Sequence, residues 1–121
     1  MKKSTVRKVE DILRDYPKID RYIEKLEQKA RYAAETTTIT IDENKALNAF
    51  KKQRDIIDDC LNECSKDTEK IIKELYFKRY PQFTLNGIVE NHIVSVGHNK
   101  AYQLRNNFIE DVAKGMGLYD L

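Results

Sequence analysis

The chain has 121 residues, of which 40% are hydrophobic and 35% charged, and its net charge is only +2. This balance, with four glycines and two prolines, favours helices with solvated faces, so we expect an all-α protein. No apolar run approaches the roughly 20 residues of a membrane span, which argues against a membrane protein. The start of the chain lacks the apolar core of a signal peptide, and two cysteines fit a reducing compartment. We therefore expect a cytoplasmic protein.

The first 35 residues predict two short helices. Hydrophobic residues from Val6 to Tyr16 recur at helical spacing, and Pro17 should end this helix near Asp15 because its ring excludes a helical hydrogen bond. A second stripe predicts a helix from about Lys18 to Glu35; it comprises Ile19, Ile23, Leu26, Ala30 and Ala33. We therefore predict an N-terminal helical hairpin at residues 1–35. It must pack on the rest of the chain or on another copy, because it buries little area alone.

A linker and two more helices are predicted next. The β-branched residues from Thr36 to Ile41 interrupt the helical pattern, and we assign residues 36–45 to a linker. A long helix follows from Asn44 to Glu63, and another is capped by Ser65 or Asp67 and ended by Tyr80 and Pro81. These elements and the remaining chain form a predicted helical domain at residues 46–121.

The last third of the chain predicts a helix-turn-helix, within about residues 67–117. Thr84–Val89 forms a short helix, a turn follows, and a second helix begins after Gly97 or Ser95, either of which is a possible cap. Three- and four-residue spacing places the apolar residues of the second helix on one buried stripe; they are Ala101, Leu104, Phe108, Ile109 and Val112.

The other face of this second helix carries candidate DNA-reading side chains. Asn and Gln pair bidentately with adenine, and Lys or Arg pairs with guanine, in a major groove. The candidate DNA-binding residues are His98, Asn99, Lys100, Tyr102, Gln103, Arg105 and Asn106. Tyr102 is equally compatible with stacking on DNA and with packing on the preceding helix. The alternative for the polar residues is an ordinary solvated helix face.

The charge distribution limits how tightly one copy can hold DNA. Residues 1–35 carry a net charge of +3, residues 36–80 are neutral, and residues 81–121 carry −1. Phosphate contacts come mainly from Lys and Arg and dominate affinity. We therefore expect weak binding by a monomer and a homo-dimer or higher oligomer as the binding form.

Metal binding and catalysis have little support. Cys60, Cys64, His92 and His98 superficially resemble a zinc set, but the segment between the two pairs is far longer than in a zinc finger. Asp55, Asp58 and Asp59 lack a facing acidic cluster and fit a solvated face. No Gly-rich phosphate loop and no nucleophile with a plausible His partner is present. We expect no enzyme activity, no metal and no cofactor.

Three segments resemble a known family. They are STVRKVEDILRDYP at 4–17, CSKDTEKIIKELYFKRY at 64–80 and AYQLRNNFIEDVAKGMG at 101–117. In type and order they are similar to the RinA/ArpU class of phage transcriptional regulators, whose C-terminal half looks like region 4 of bacterial sigma factors. The resemblance spans most of the chain, and its motifs are moderately specific.

The resemblance implies a DNA-binding activator of late phage genes for packaging and morphogenesis, acting in a Gram-positive host. It implies double-stranded DNA and host RNA polymerase as partners, with Asn99, Lys100 and Gln103 at groove-facing positions. Gly97 stands where the family usually has a capping Ser, and Asn106 and Asn107 stand where relatives often carry basic residues. The first departure weakens the helix cap by roughly a few tenths of a kcal/mol, and the second weakens the expected contact with phosphates.

Two other functions remain open. One is an adaptor with a sigma-like fold that touches polymerase or an assembly partner without reading DNA. The other is a small DNA-packaging subunit, similar to the small subunit of terminase, which also pairs a helix-turn-helix with helical oligomerisation segments.

Overall fold

The computed structural model describes residues 1–33 and 41–118. The chain folds into five α-helices in these ranges: α1 (Lys3–Ala33), α2 (Ile41–Glu63), α3 (Lys66–Ile72), α4 (Leu85–Glu90) and α5 (His98–Gly115). One π-helical turn, Lys73–Phe77, continues α3 directly. The described residues contain no strand, which confirms the all-α expectation. None of the helices in this part of the chain has the length and apolar character needed to cross a membrane.

The predicted N-terminal hairpin at residues 1–35 is wrong, because α1 runs without a break through Pro17. Pro17 has no N–H to offer the carbonyl of Leu13, and a proline inside a helix costs about 3 kcal/mol. The apolar stripe nevertheless continues past it to Ile19 and Ile23, which are 2% and 4% exposed. Burial of two such side chains contributes about 3 to 6 kcal/mol. Packing therefore outweighs the local preference of proline to end the helix.

Replacing Pro17 with alanine is expected to raise the free energy of unfolding by about 2 kcal/mol. The variant restores one helical hydrogen bond and so removes most of the proline penalty of about 3 kcal/mol. About 1 kcal/mol of this gain is lost, because the unfolded chain of the variant has more conformational freedom. Urea unfolding followed by circular dichroism measures the change. Pro81→Ala is the control for the loss of a proline alone, because Pro81 lies outside the helices. A destabilised Pro17→Ala variant would show that Pro17 stabilises the folded chain, contrary to this expectation.

The hairpin that the chain does form pairs α1 with α2. The second half of α1 packs on α2 through a small cluster of Ile19, Ile23 and Leu47, bordered by Leu26 and Phe50. The predicted linker at 36–45 falls partly outside the described residues, which exclude 34–40. Its last five residues belong to α2, which begins at Ile41 and not at Asn44.

The main core joins both ends of the chain. Its buried residues come from α1, α2, α3, the π-helical turn and α5; they are Val9, Leu13, Ile57, Ile72, Tyr76, Phe108, Ile109, Val112 and Ala113. The first half of α1 is thus packed directly against α5. The division of the chain into residues 1–35, 36–45 and 46–121 stays a prediction.

Two part-buried hydrogen bonds from tyrosine hydroxyls tie α1 to its neighbours. Tyr76 donates to Glu10 Oε2 at 2.8 Å, and Tyr16 donates to Asp58 while its ring stacks on Phe77 at 4.8 Å. Burial, followed by the hydrogen bond to a carboxylate, raises the pKa of both hydroxyls well above the ordinary value for tyrosine. Both tyrosines therefore remain protonated in the folded chain at pH values where they ionise in the unfolded chain.

These tyrosines are expected to make the fold sensitive to alkali. Because their folded pKa values are raised, their stabilising effect is complete below the unfolded pKa of about 10 and is lost as pH rises above it. Thermal unfolding measured across this range should show a steep loss of stability above about pH 10. The loss should be smaller in a Tyr16→Phe, Tyr76→Phe variant, and Tyr80→Phe should leave it unchanged because Tyr80 is 75% exposed. An unchanged alkaline slope in the double variant would contradict this assignment.

Candidate nucleic-acid interface

Side-chain caps fix the two helices that support the candidate surface. Ser65 Oγ accepts a hydrogen bond from the Thr68 backbone N–H at 3.2 Å, so Ser65 is the cap of α3. Thr84 caps α4 by accepting from the Gly87 N–H at 3.2 Å. Such caps satisfy backbone donors at the helix start that would otherwise lack a partner.

The turn after α4 has the geometry of a Schellman motif. The Ile93 N–H donates to the carbonyl of Ile88 and the His92 N–H to that of Val89, both at 3.1 Å. His92 takes a left-handed φ of 57°, at a position where Gly is usual. The same pair of bonds ends α5, where Gly117 has a φ of 71°. Ile93 packs with Ile88 in a second core cluster, which holds α4 in a fixed position beside α5.

Gly97 is the cap residue of α5, which settles the choice between Gly97 and Ser95. Its backbone is extended, with φ −79° and ψ 177°, and no side chain caps the helix. Ser95 instead donates its Oγ hydrogen to Asp67 Oδ2 at 2.9 Å. That bond ties the turn to α3. A Cβ at Gly97 would meet no atom within 4 Å, so the capping serine usual in the resembled family would fit there.

The first twelve residues of α5, 98–109, are buried on one side and polar on the other. Ala101, Phe108 and Ile109 are at most 2% exposed, and they pack the helix against both core clusters. The exposed residues of this segment are His98, Asn99, Lys100, Tyr102, Gln103, Asn106 and Asn107. Six of the seven candidate residues therefore share an accessible surface, and Arg105 is half-buried.

Arg105, Tyr102 and Asn106 form a local cluster on α5. The Arg105 guanidinium lies 5.2 Å from the centre of the Tyr102 ring. Its Nε and Nη2 donate to Asn106 Oδ1 at 3.2 and 3.0 Å. Because Asn106 already accepts two hydrogen bonds, Asn99 and Gln103 are better placed to offer a complete amide to a base edge.

His98 links the beginnings of α4 and α5. Its Nδ1 donates to Asn86 Oδ1 at 3.0 Å, so the first turn of α4 lies beside the first residue of α5. This contact gives His98 a role in orienting the two helices. Sequence reasoning did not single out Asn86, because no local pattern shows which residues of two helices face each other.

The charges around this surface are more favourable than the regional totals suggest. Between Lys78 and Ile109 the sequence has four basic residues and one acid, Glu90. The net −1 of residues 81–121 arises because the other three acids follow Ile109. Lys78 and Arg79 are exposed just before α4, and they were missed as candidates although their position in the sequence is visible. Lys78 pairs with Glu74 at 2.7 Å, and Arg79 lies over the Tyr80 ring at 5.4 Å.

The two cysteines belong to the helical packing. Cys64 donates its thiol hydrogen to the Leu61 carbonyl at 3.3 Å, and both residues are free thiols bordering the main core. Burial and the nearby carboxylate of Asp111 raise the pKa of Cys60 to about 11. A protonated thiol is a poor metal ligand and nucleophile. Within residues 1–33 and 41–118, no three His, Cys, Asp or Glu side chains are grouped to hold a metal ion.

The described geometry offers an accessible amide-rich helix face that also carries Lys100, on a helix packed against two neighbours with side-chain caps. Such a surface suits contact with base edges and phosphates. No family model, curated protein or solved structure matches this chain.

Proposed function

We propose that this chain is a sequence-specific DNA-binding protein that places the N-terminal half of α5 in a major groove. The observation that supports this most is the exposed face of Asn99, Lys100 and Gln103, on a helix whose other side is firmly buried. A major groove admits one α-helix, and recognition helices contact base edges through their N-terminal residues. The proposed unit is the helix-turn-helix formed by α4, the turn and α5.

Asn99 and Gln103 act as the base readers in this proposal. They lie one helical turn apart, so they face the same side of α5 and reach neighbouring base pairs. Each amide can donate to and accept from adenine, while Lys100 beside them contacts guanine or a phosphate. Asn106 contributes less to base reading, because its carbonyl oxygen is held by Arg105.

Phosphate contacts come from few residues. Lys78 and Arg79 lie ahead of α4, and the hydrogen bond from His98 to Asn86 brings that end of α4 close to the start of α5. Two or three phosphate contacts give a salt dependence of log affinity with a slope of only about −2 to −3. A homo-dimer on a two-fold symmetric site doubles these contacts, which is why we propose a dimer as the binding form.

The biological role within this proposal is activation of late phage genes, with host RNA polymerase as a second partner. Its support is the resemblance of residues 4–17, 64–80 and 101–117 to the RinA/ArpU class of regulators. Activation requires that DNA binding and polymerase contact occur on different surfaces. The exposed face of α5 leaves the α1 and α2 surfaces available for the second contact.

Fluorescence anisotropy with tiled duplexes from the surrounding genome tests the proposal. One fragment should bind about a thousandfold more tightly than a scrambled duplex at moderate salt, as expected for an operator-reading protein. Equal, weak and steeply salt-dependent binding to every fragment would contradict it and favour the packaging function. Absence of duplex binding together with retention of polymerase would favour the adaptor.

A further inference from the structure

The two flanks of the seam between α1 and α2 differ in chemistry. One flank is closed by polar pairs that cross from helix to helix: Lys51 to Glu27 at 3.0 Å, Arg54 to Asp20 at 3.5 Å, and Tyr16 to Asp58. We call this the polar flank. These side chains satisfy one another, and they join the two helices on that side.

The opposite side, which we call the apolar flank, carries two hollows. One has a volume of about 310 Å³ and is lined by Tyr22, Lys25, Leu26, Ala46 and Phe50. The other, of about 190 Å³, is lined mainly by Ile12, Ala49, Ile56 and Met116. The α2 residues of the flank, Ala46, Ala49, Phe50, Gln53 and Ile56, recur every three or four positions, so they lie along one side of that helix.

The charged side chains that line the two hollows are all lysines, and one turn beyond Leu26 and Ala46 a Lys29–Glu43 ion pair of 2.8 Å joins α1 to α2. Lys25 lines the first hollow, and Lys8 and Lys52 line the second. Among the described residues that line the two hollows, none is Asp or Glu. A second copy packed face to face would bring the same lysines together, which is electrostatically unfavourable. The flank instead complements an apolar surface with acidic borders.

The length of the flank suits a helix. From Ile12 to Leu26, α1 has 15 residues, and the distance between the two ends is about 21 Å at the rise of an α-helix. A helical segment of about four turns fits this length and can place apolar residues at i, i+3 or i+4, and i+7 into the two hollows. The lysines then meet acidic residues at the edges of that segment.

We propose that the apolar flank binds an acidic amphipathic helix of a partner protein. The large apolar residues of the partner enter the hollows at Phe50 and Ile56, and its carboxylates pair with Lys8, Lys25 and Lys52. This site shares no residue with the exposed face of α5, so it acts independently of DNA reading and does not rest on it.

The probe for this site is a fluorescein-labelled helical peptide of about 18 residues, with Leu at the apolar positions and Glu at the borders. Anisotropy titration with the full chain should show saturable binding. A peptide with the same Leu positions and Lys borders should bind at least about tenfold more weakly, because several border pairs change from attraction to repulsion. Equal binding of both peptides, or no saturable binding of the Glu peptide, overturns the proposal.

Charge reversal locates the site. Lys25→Glu with Lys52→Glu should weaken the Glu peptide about tenfold and improve binding of the Lys peptide. The control variant with Lys66→Glu and Lys70→Glu changes the net charge by the same amount, at exposed positions of α3, and should leave the affinity for both peptides unchanged. Circular dichroism melting establishes that both double variants fold. If both double variants lose affinity for the Glu peptide equally, binding depends on net charge and the proposed site is wrong.

Two other occupants have their own signatures. If vesicles of phosphatidylglycerol and phosphatidylcholine bind the chain through Lys25 and Lys52, and the Glu peptide does not bind, the flank binds a membrane surface and not a partner helix. Sedimentation that shows a dimer sensitive to substitution at Ala49, but not competed by the Glu peptide, would assign the flank to a second copy. Either result overturns the proposal.

Discussion

Alanine at Asn99, Lys100 and Gln103 together is expected to abolish discrimination between the bound duplex and a scrambled one. In the proposed complex these side chains supply most of the direct base contacts, and a specific site is preferred over nonspecific DNA by at least about a thousandfold. The loss therefore corresponds to about 4 kcal/mol. Weak binding should persist, since Lys78, Arg79 and the backbone of α5 still contact phosphates.

The fold should tolerate this triple substitution. All three side chains are exposed, and alanine has the highest helix propensity. The matched control replaces the same residue types at exposed positions away from α5: Gln28→Ala, Asn62→Ala and Lys70→Ala. Anisotropy with operator and scrambled duplexes should separate the two triple variants. If both lose specificity equally, or neither does, α5 does not read the DNA.

The buried side of α5 could be predicted because the spacing of its apolar residues is visible within a single segment of the sequence. Ala101, Phe108, Ile109 and Val112 recur at helical spacing, and all four are at most 2% exposed. The period of an amphipathic helix depends only on which of its residues prefer burial. The same argument correctly predicted that Asn99 and Gln103 are exposed. It does not reveal what they contact, because an exposed polar face suits water, DNA or a protein equally.

The predicted end of the helix at Pro17 was wrong, because packing against distant segments outweighed the local tendency of proline to end a helix. Proline ends most helices, but here residues on both sides of it are buried in clusters that include α2 and α5. The sequence alone does not show that partners 30 to 100 positions away continue the same stripe. The hydrogen bond from Tyr76 to Glu10, 66 positions apart, was hidden for the same reason.

The candidate surface was predicted less completely than the helix that carries it. Arg105 is half-buried and hydrogen-bonded to Asn106, which the sequence pattern did not indicate. His98 orients α4 through Asn86. These roles depend on the angle between the two helices. The Schellman turn at His92 ends α4 ahead of α5, and no glycine in the sequence marks it.

Replacing Leu13 with alanine is expected to lower the free energy of unfolding of the whole protein by about 3 kcal/mol. Leu13 is completely buried in the main core, which also contains Phe108 and Ile109 of α5. Removing a buried leucine side chain leaves a cavity and costs about 2 to 5 kcal/mol. A loss of this size is a large part of the 5 to 15 kcal/mol that stabilises a typical domain.

The comparison with Leu26→Ala decides whether the N-terminal region folds alone. Leu26 is half-buried beside the distal cluster of α1 and α2, so its loss should cost about 1 kcal/mol and leave α5 unaffected. Hydrogen exchange of the α5 amides should accelerate in Leu13→Ala, because α1 and α5 share one core. If those amides keep their protection while α1 unfolds, residues 1–35 form a separate unit. In that case α5 would be stable without α1, and α1 would be available to bind a partner.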